Sequence, residues 1–351
     1  MRFLHVMVPD KFIPPFIRFV NENFNPKEHL FLILSEESFP PYFSLFLTEI
    51  SKLNSSNIVI LNPNSMWKHL QILMYMYGAE KIIIHGLWSR YIVEVLFRRS
   101  QLLEKSYWII WGGDFYFPEQ QSFTKKMVIK NIRHIITYSD GDVEYIRKSY
   151  GANPIHHRCF CYLSNVFDEN KYGGCKRVNK HDIWILVGNS ATETNRHELV
   201  FDKLKRFKDD NIRLIVPLSY GDDEYRKRII EIGRREFSNK FYPIVKFLPF
   251  EQYLNIIFNI DIAIFFHNRS QAMGNIIQIL GLGKKVFLDR INNPLYQLFR
   301  NLGVKVYDFE TEFNLIANEK ELISNSEIIK KTFSLEQLKL QLENIFYGRN
   351  K

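Results

Sequence analysis

The stretch Ile183-Trp184-Ile185-Leu186-Val187-Gly188-Asn189-Ser190-Ala191-Thr192-Glu193-Thr194-Asn195-Arg196-His197 passes from an apolar run, through a glycine, into small and hydroxylated residues and then into a segment of helical spacing. An apolar run without alternation suits a strand covered on both faces, as in a parallel sheet. The break at Gly188 followed by a helix is the repeating joint of α/β folds. Free amides at such a helix N-terminus form a phosphate site. The same joint also reads as an ordinary strand–loop–helix turn capped by Ser190, Thr192 or Thr194. It is neither a Walker loop nor a GxGxxG element.

Outward from this joint the rhythm repeats. Apolar runs at Ile212–Val216, Ile244–Phe247, Ile262–Phe266, Lys285–Leu288 and Val304–Tyr307 follow it. Before it lie Phe3–Val8, Leu30–Leu34, Ile58–Leu61, Lys81–Ile84, Tyr107–Ile110, His134–Thr137 and His157–Tyr162, with Trp67–Tyr77 and Tyr91–Leu103 of helical length between. Alternating strands and helices predict parallel sheets. Between Ser164 and Asp182 the rhythm stops in a polar, charged stretch, the composition of a connector. The expected organisation is a Rossmann-like lobe over 1–163, a linker over 164–181, a second Rossmann-like lobe over 182–332 and a helical tail over 333–351.

Length agrees with two lobes, since 351 residues are more than double the roughly 150 of one usual core. Apolar residues at 46%, with only 16 Gly and 13 Pro, exclude a disordered or collagen-like chain. A formal charge of +9 favours an anionic partner. A nucleic acid is not the expected one, because no RNP-type string, zinc knuckle or concentrated basic stripe occurs. Three cysteines, Cys159, Cys161 and Cys175, do not make a disulfide framework, and a reducing compartment is expected. The N-terminus reads as a strand rather than a signal peptide, and no apolar stretch reaches the roughly 20 residues of a membrane span.

Ligands of parallel sheets bind beyond the carboxyl ends of the strands, so the informative residues follow strands. Besides the Gly188 segment these are Phe266-His267-Asn268-Arg269-Ser270-Gln271-Ala272-Met273-Gly274-Asn275, Val216-Pro217-Leu218-Ser219-Tyr220-Gly221 and Phe250-Glu251-Gln252-Tyr253. Arg269 is expected to pair with a diphosphate, Glu251 to accept from a sugar hydroxyl, and Tyr220 or Tyr253 to stack on a base. In the first half the matching segments are His85-Gly86-Leu87-Trp88 and Trp111-Gly112-Gly113-Asp114-Phe115-Tyr116. Asp114, approached past two glycines, is the candidate general base, with a turn-capping Asp as the plain alternative. His157, Cys159 and Cys161 would share a strand face, yet no second ligand pair accompanies them and packing is the expected role. Asp222-Asp223-Glu224 is expected to be a helix start rather than a cation site.

Together, Trp111-Gly112-Gly113-Asp114-Phe115-Tyr116, Ile185 to Ser190 with Asn195 and His197, Val216-Pro217 with Tyr220, and Arg269-x-Gln271-x-x-Gly274 resemble glycosyltransferase family 56. The match runs in order from about His85 to Gly283, and departs from the family pattern at Gly113, at Glu251 and in the helix after Gly274. The resemblance implies an α/β fold of GT-B type, two Rossmann-like lobes with a cleft between them, and metal-independent sugar transfer without a cofactor. It implies a TDP-sugar donor such as TDP-N-acetylfucosamine, held by Gly188, Asn189, Ser190, Asn195, His197, Pro217, Tyr220, Glu251, Tyr253, Gln271, Gly274 and Asn275. Arg269 and Asp114 would be catalytic, while His85, Gly86, Trp111, Gly112, Gly113 and Tyr116 would face the sugar and acceptor. A polyprenyl-diphosphate-linked saccharide would be the acceptor, met by a peripheral protein on the cytoplasmic face of the membrane. Arg98, Arg99, Lys125, Lys126, Lys130 and Arg133, with Phe97, Phe115, Phe117 and Phe123, would form the docking surface. An epimerase or an inactive nucleotide-sugar-binding protein of the same fold is the alternative.

Overall fold

Every strand pairing in the computed structural model, which describes residues 1–34, 43–61, 67–178, 181–316 and 318–348, is parallel. The chain divides into two compact units, residues 1–164 with the last helix from Glu336 on, and residues 165–335. The first contains β1 (Phe3–Met7), α1 (Ile13–Asn23), β2 (His29–Leu34), α2 (Phe43–Lys52), β3 (Ile58–Leu61), α3 (Lys68–Gly78), β4 (Lys81–His85), α4 (Arg90–Arg98), β5 (Ser106–Ile109), α5 (Phe123–Asn131), β6 (His134–Thr137), α6 (Asp140–Tyr150) and β7 (Ile155–Arg158). The second contains β8 (Ile183–Val187), α7 (His197–Leu204), β9 (Ile212–Pro217), α8 (Asp223–Phe237), β10 (Phe241–Ile244), α9 (Phe250–Asn259), β11 (Ile262–Phe265), α10 (Met273–Gly281), β12 (Lys285–Leu288), α11 (Pro294–Asn301), β13 (Tyr307–Asp308), α12 (Phe309–Glu312) and α13 (Glu319–Thr332). Helix α14 (Leu335–Tyr347) closes the chain.

The strand orders are β3-β2-β1-β4-β5-β6-β7 and β10-β9-β8-β11-β12-β13. Each is a doubly wound sheet whose order reverses at one point, between β1 and β4 and between β8 and β11. Ligands of such sheets bind beyond the strand ends at that reversal. The apolar runs are continuous because helices cover both faces: every residue of β1, β5, β6, β11 and β12 is buried.

Several boundaries differ from the sequence reading, each for a visible reason. Residues 165–178 are seated on the second unit instead of forming a free linker. Tyr172 Oη donates to Gln278 at 3.0 Å, Gln278 donates to the Val166 carbonyl at 2.9 Å, and a Cβ on Gly281 would come within 2.3 Å of the Phe167 ring. A few well-placed aromatics do this in a polar stretch. The tail likewise returns to the first unit, where Phe346 packs on Phe3 and His29 and Lys81 Nζ donates to the Ile345 and Phe346 carbonyls at the end of α14. Strand β10 starts three residues early and includes Pro243, which an edge strand tolerates. Strand β7 ends at Arg158, and Cys161 takes a left-handed backbone at φ 59°, so His157, Cys159 and Cys161 share no strand face. Cys159 and Cys161 are buried, and among the described residues no cluster of three His, Cys, Asp or Glu side chains is placed to hold a metal.

Candidate functional site

At the β8/β11 reversal three loops are tied into one polar network. Gly188 leaves β8 at φ 68°, and a Cβ there would lie 2.6 Å from both Asn195 Oδ1 and His197 Nε2. Glycine is therefore required for two reasons, backbone sign and close approach. Beneath it, Asn195 is buried at 1% exposure. Its Oδ1 accepts from the Asn189 amide at 2.9 Å and pairs with His267 Nε2 at 2.9 Å. Its Nδ2 donates to Ser190 Oγ at 3.1 Å and Thr192 Oγ1 at 2.7 Å. Asn195 thus fixes the loop from inside, with buried Ser190, His197 and His267. His197 Nδ1 pairs with Tyr225 Oη at 3.0 Å, and burial holds its pKa at about 3, so it is neutral.

The accessible side of this loop meets the other two. Thr194 Oγ1 donates to Gln271 Oε1 at 2.7 Å, Gln271 Nε2 donates to Asn189 Oδ1 at 2.9 Å, and Asn189 Nδ2 donates to Tyr220 Oη at 2.8 Å. The Ala191 amide donates to the Tyr220 carbonyl at 2.7 Å, which joins the loop after β9. Tyr220 lies parallel to Phe247, with ring centroids 6.1 Å apart at 10°, and both are exposed. Tyr253 hydrogen-bonds Asn275, and burial pushes its hydroxyl pKa up. Pro217 ends β9 beside Ile244. Of the expected donor residues, only Glu251 stands apart: it is exposed in the first turn of α9.

Helix α10 opens beside this network. Its N-cap Ala272 takes φ 62° and no side chain caps the first turn, which leaves the amides of Met273, Gly274 and Asn275 for a ligand or water. Half-buried Arg269 lies on the loop that leads there, and its charge helps lower the pKa of buried His267. Sequence reasoning missed Arg196. At φ 51° it donates from Nε to the Phe266 carbonyl at 2.8 Å, stacks on the Phe266 ring at 3.8 Å and pairs with Asp289 at the end of β12. Burial of Asp289 is outweighed by hydrogen bonds from Asn292 and Arg196, which hold its carboxyl below the usual range. Arg196 is a strap across three strand ends, not a second anion receptor. Asp222 caps α8 by accepting from the Tyr225 amide, as a helix start should.

In the first unit the structure moves three expected residues inward. Asp114 has no exposed surface. Its Oδ2 accepts from the Leu87 amide at 3.0 Å and from Trp108 Nε1 at 2.8 Å, and its Oδ1 from the Trp111 amide at 3.0 Å. Burial raises its pKa against those donors and the charge of Lys125. A hydroxyl has no path to a carboxylate held in this way. The expected role of general base is replaced by that of a clamp joining the loops after β4 and β5. Tyr116 is buried and donates to Asp142 at 2.6 Å, and His85 is buried between His5 and Tyr162. Neither side chain is exposed to solvent. Trp111 stays half-buried, its Nε1 donating to Tyr162 Oη at 2.9 Å. Gly86 and Gly112 take φ of 79° and 83° at the two turns.

Asp114→Asn puts an amide where three donors converge. The expected cost is about 2–4 kcal/mol of stability in the first unit, because buried N–H groups lose their acceptor. Urea titration followed by tryptophan fluorescence checks this. An unchanged midpoint with abolished transfer would restore the base role.

Two doubly wound parallel sheets, each with a loop cluster at its order reversal, make up the GT-B fold. The likeness extends over whole chains. HepE from Anabaena in complex with UDP-glucose matches with a TM-score of 0.70 at 11% identity, over 99% of this chain and 100% of that one. A glycosyltransferase from Rickettsia africae matches at 0.68 and 13%, over 98% and 97%. A UDP-N-acetylglucosamine 2-epimerase homologue from Listeria monocytogenes matches at 0.56 and 9%, over 100% and 97%. Residues 71–333 match the family described as 4-alpha-L-fucosyltransferase, glycosyl transferase group 56, so the chain belongs to glycosyltransferase family 56 and is a glycosyltransferase.

Proposed function

We propose that the second unit binds a TDP-sugar, a deoxyamino sugar such as N-acetylfucosamine on thymidine diphosphate, and that Arg269 and the first turn of α10 receive its diphosphate. The observation that carries this reading is the uncapped N-terminus of α10 beside the Asn189–Gln271–Thr194 network. Open amides and a guanidinium supply the charge that a metal would otherwise bring. Tyr220, stacked on exposed Phe247, offers the flat surface a base needs. A panel of TDP-, UDP- and GDP-sugars tested in EDTA by thermal shift discriminates donors. The largest rise in Tm is expected with the TDP-sugar. No rise with any of them, or a rise only after Mg²⁺ is added, would contradict the reading.

The acceptor is proposed to be a polyprenyl-diphosphate-linked saccharide of a surface polysaccharide, met at the cytoplasmic face of an anionic membrane. Among the described residues no helix is long and apolar enough to cross a bilayer, so docking is peripheral in this reading. Helix α3 and its preceding residue expose Trp67, Leu70, Met74 and Tyr77 at the spacing of one helix face. Gln101 donates to Tyr77 Oη at 2.7 Å, which brings the turn after Arg98 and Arg99 alongside. Exposed Phe97 and Phe123 meet at 6.3 Å on the neighbouring α4 and α5. Of the other expected docking rings, Phe115 is buried and Phe117 packs against the core. Each cation near an anionic surface adds about 1 kcal/mol. The protein is expected to co-sediment with phosphatidylglycerol vesicles, and Leu70→Ser with Met74→Ser to release at least half of it. Equal recovery with neutral vesicles would argue against this surface.

A further inference from the structure

Three consecutive residues of the loop after β8 each hold one residue of the loop after β11. Arg196 Nε donates to the Phe266 carbonyl at 2.8 Å, Asn195 Oδ1 pairs with His267 Nε2 at 2.9 Å, and the Thr194 carbonyl accepts from the Asn268 amide at 3.3 Å. The two segments run past each other in register, and the next residue along is Arg269. The charges of Arg269 and Arg196 both help to lower the pKa of buried His267, so both stand close to it. The first rung reaches furthest. The Arg196 guanidinium stacks on the Phe266 ring at 3.8 Å and pairs with Asp289 at the end of β12, with only 20% and 5% of the two side chains exposed. Asp289 is itself fixed, since its Oδ1 accepts from the Ile291 and Asn292 amides at 2.8 and 2.9 Å. Arg196 also holds φ 51°, a backbone that a non-glycine residue keeps only where its surroundings determine it.

We infer that Arg196, neutralised by Asp289, is a positioning residue for Arg269: it fixes the Phe266 carbonyl, and with it the direction in which the chain leaves β11 toward the diphosphate. Charge stabilisation in a transition state depends on donors held in place beforehand. A misplacement of about 1 Å, caused from outside the reacting centre, can cost on the order of a hundredfold in rate. The planar guanidinium suits this task because one group stacks, donates to a carbonyl and meets a carboxylate at the same time. A lysine keeps the charge pair and loses the other two contacts. The inference rests on the reading that Arg269 receives the diphosphate.

Removing Arg196 alone would strand a buried carboxylate and endanger the fold. The test variant is therefore Arg196→Met with Asp289→Asn, which removes both charges and keeps an acceptor for the Ile291 and Asn292 amides. Transfer from a TDP-deoxyamino sugar to a polyprenyl-diphosphate-linked saccharide is measured on the full chain, beside TDP affinity by calorimetry. The kcat is expected to fall roughly tenfold while TDP affinity stays within about threefold. A double-mutant cycle then separates positioning from general damage. In an Arg269→Ala background the same two substitutions should change kcat less than about threefold, because nothing is left to position. Arg196→Lys, which keeps the Asp289 pair and so the fold, should lose rate severalfold with Arg269 present and none without it. Equal losses in both backgrounds, or an unchanged kcat with Arg269 present, would overturn the positioning role. Arg269→Ala alone reports on the underlying reading: unchanged turnover there removes that reading, whereas a normal loss with additive Arg196 effects removes only this inference.

Discussion

Arg269→Ala is expected to lower turnover by about 30- to 1,000-fold. When the sugar leaves, negative charge gathers on the nucleotide diphosphate, and no metal is expected to take it up. A guanidinium aimed at developing charge is worth roughly 2–4 kcal/mol in the transition state, which converts to that range of rates. The loop carrying Arg269 is anchored on one side by buried His267, paired to Asn195, and on the other by Gln271, bonded to Thr194 and Asn189. Removing the side chain should therefore leave the loop in place and the nucleotide bound, so the loss should fall on kcat more than on donor KM. Arg269→Lys should recover part of the rate, because it restores the charge but not the two-pronged geometry. Turnover within threefold of the parent would remove Arg269 from the mechanism.

The first unit is expected to lose its structure in mild acid, between about pH 6 and pH 4.5. His5, His29 and His85 lie side by side on β1, β2 and β4, all buried, with ring nitrogens 3.0 Å apart from His5 to His29 and 3.2 Å from His5 to His85. Burial lowers the pKa of His29 to about 4 and of His85 to about 3, and holds His5 well below its ordinary value. The sign follows from linkage. Once unfolded, these rings take up protons below about pH 6.5, whereas folded they do not. The unfolded state thus binds more protons, and stability falls as pH falls from 6.5 toward the folded values. Each such ring removes about 1.4 kcal/mol per pH unit across that window. His29 and His85 together therefore cost about 5 kcal/mol by pH 4.5, comparable with the whole stability of a domain. Urea midpoints from pH 7 to 5, followed by circular dichroism, should drop steadily, and His29→Leu should reduce the slope. A flat midpoint across that range would contradict the neutral histidine cluster.

The architecture was legible because central parallel strands are buried on both faces and announce themselves as unbroken apolar runs. His134–Thr137, Ile183–Val187 and Lys285–Leu288 fall where the runs place them, as does the edge strand Ile58–Leu61. The other edge strands announced themselves less sharply. In β7, and in β10 where Pro243 interrupts, the pattern weakens and the assignment shifts by two to four residues. The polar loop network after β8 was legible through Gly188, Asn195 and Gln271, since a strand-ending glycine and a run of small polar residues carry meaning locally. Arg196 and Phe247 were not, because their roles depend on Asp289 and Tyr220, neither of them a near neighbour in sequence. Asp114 misled for the opposite reason. A carboxylate after two glycines at a strand end suits a base, and only the folded chain reveals Leu87, Trp108 and Trp111 already donating to it.

The central claim is that this chain moves a sugar from TDP to a lipid-linked saccharide. Incubating it with a radiolabelled TDP-deoxyamino sugar and a polyprenyl-diphosphate-linked saccharide, in EDTA and with anionic vesicles, tests that claim most directly. The account predicts label in the lipid fraction, TDP released in equal amount, and both lost together in Arg269→Ala. Release of TDP with an altered free sugar and no need of acceptor would contradict it and place the chain's chemistry with the epimerases that share this fold.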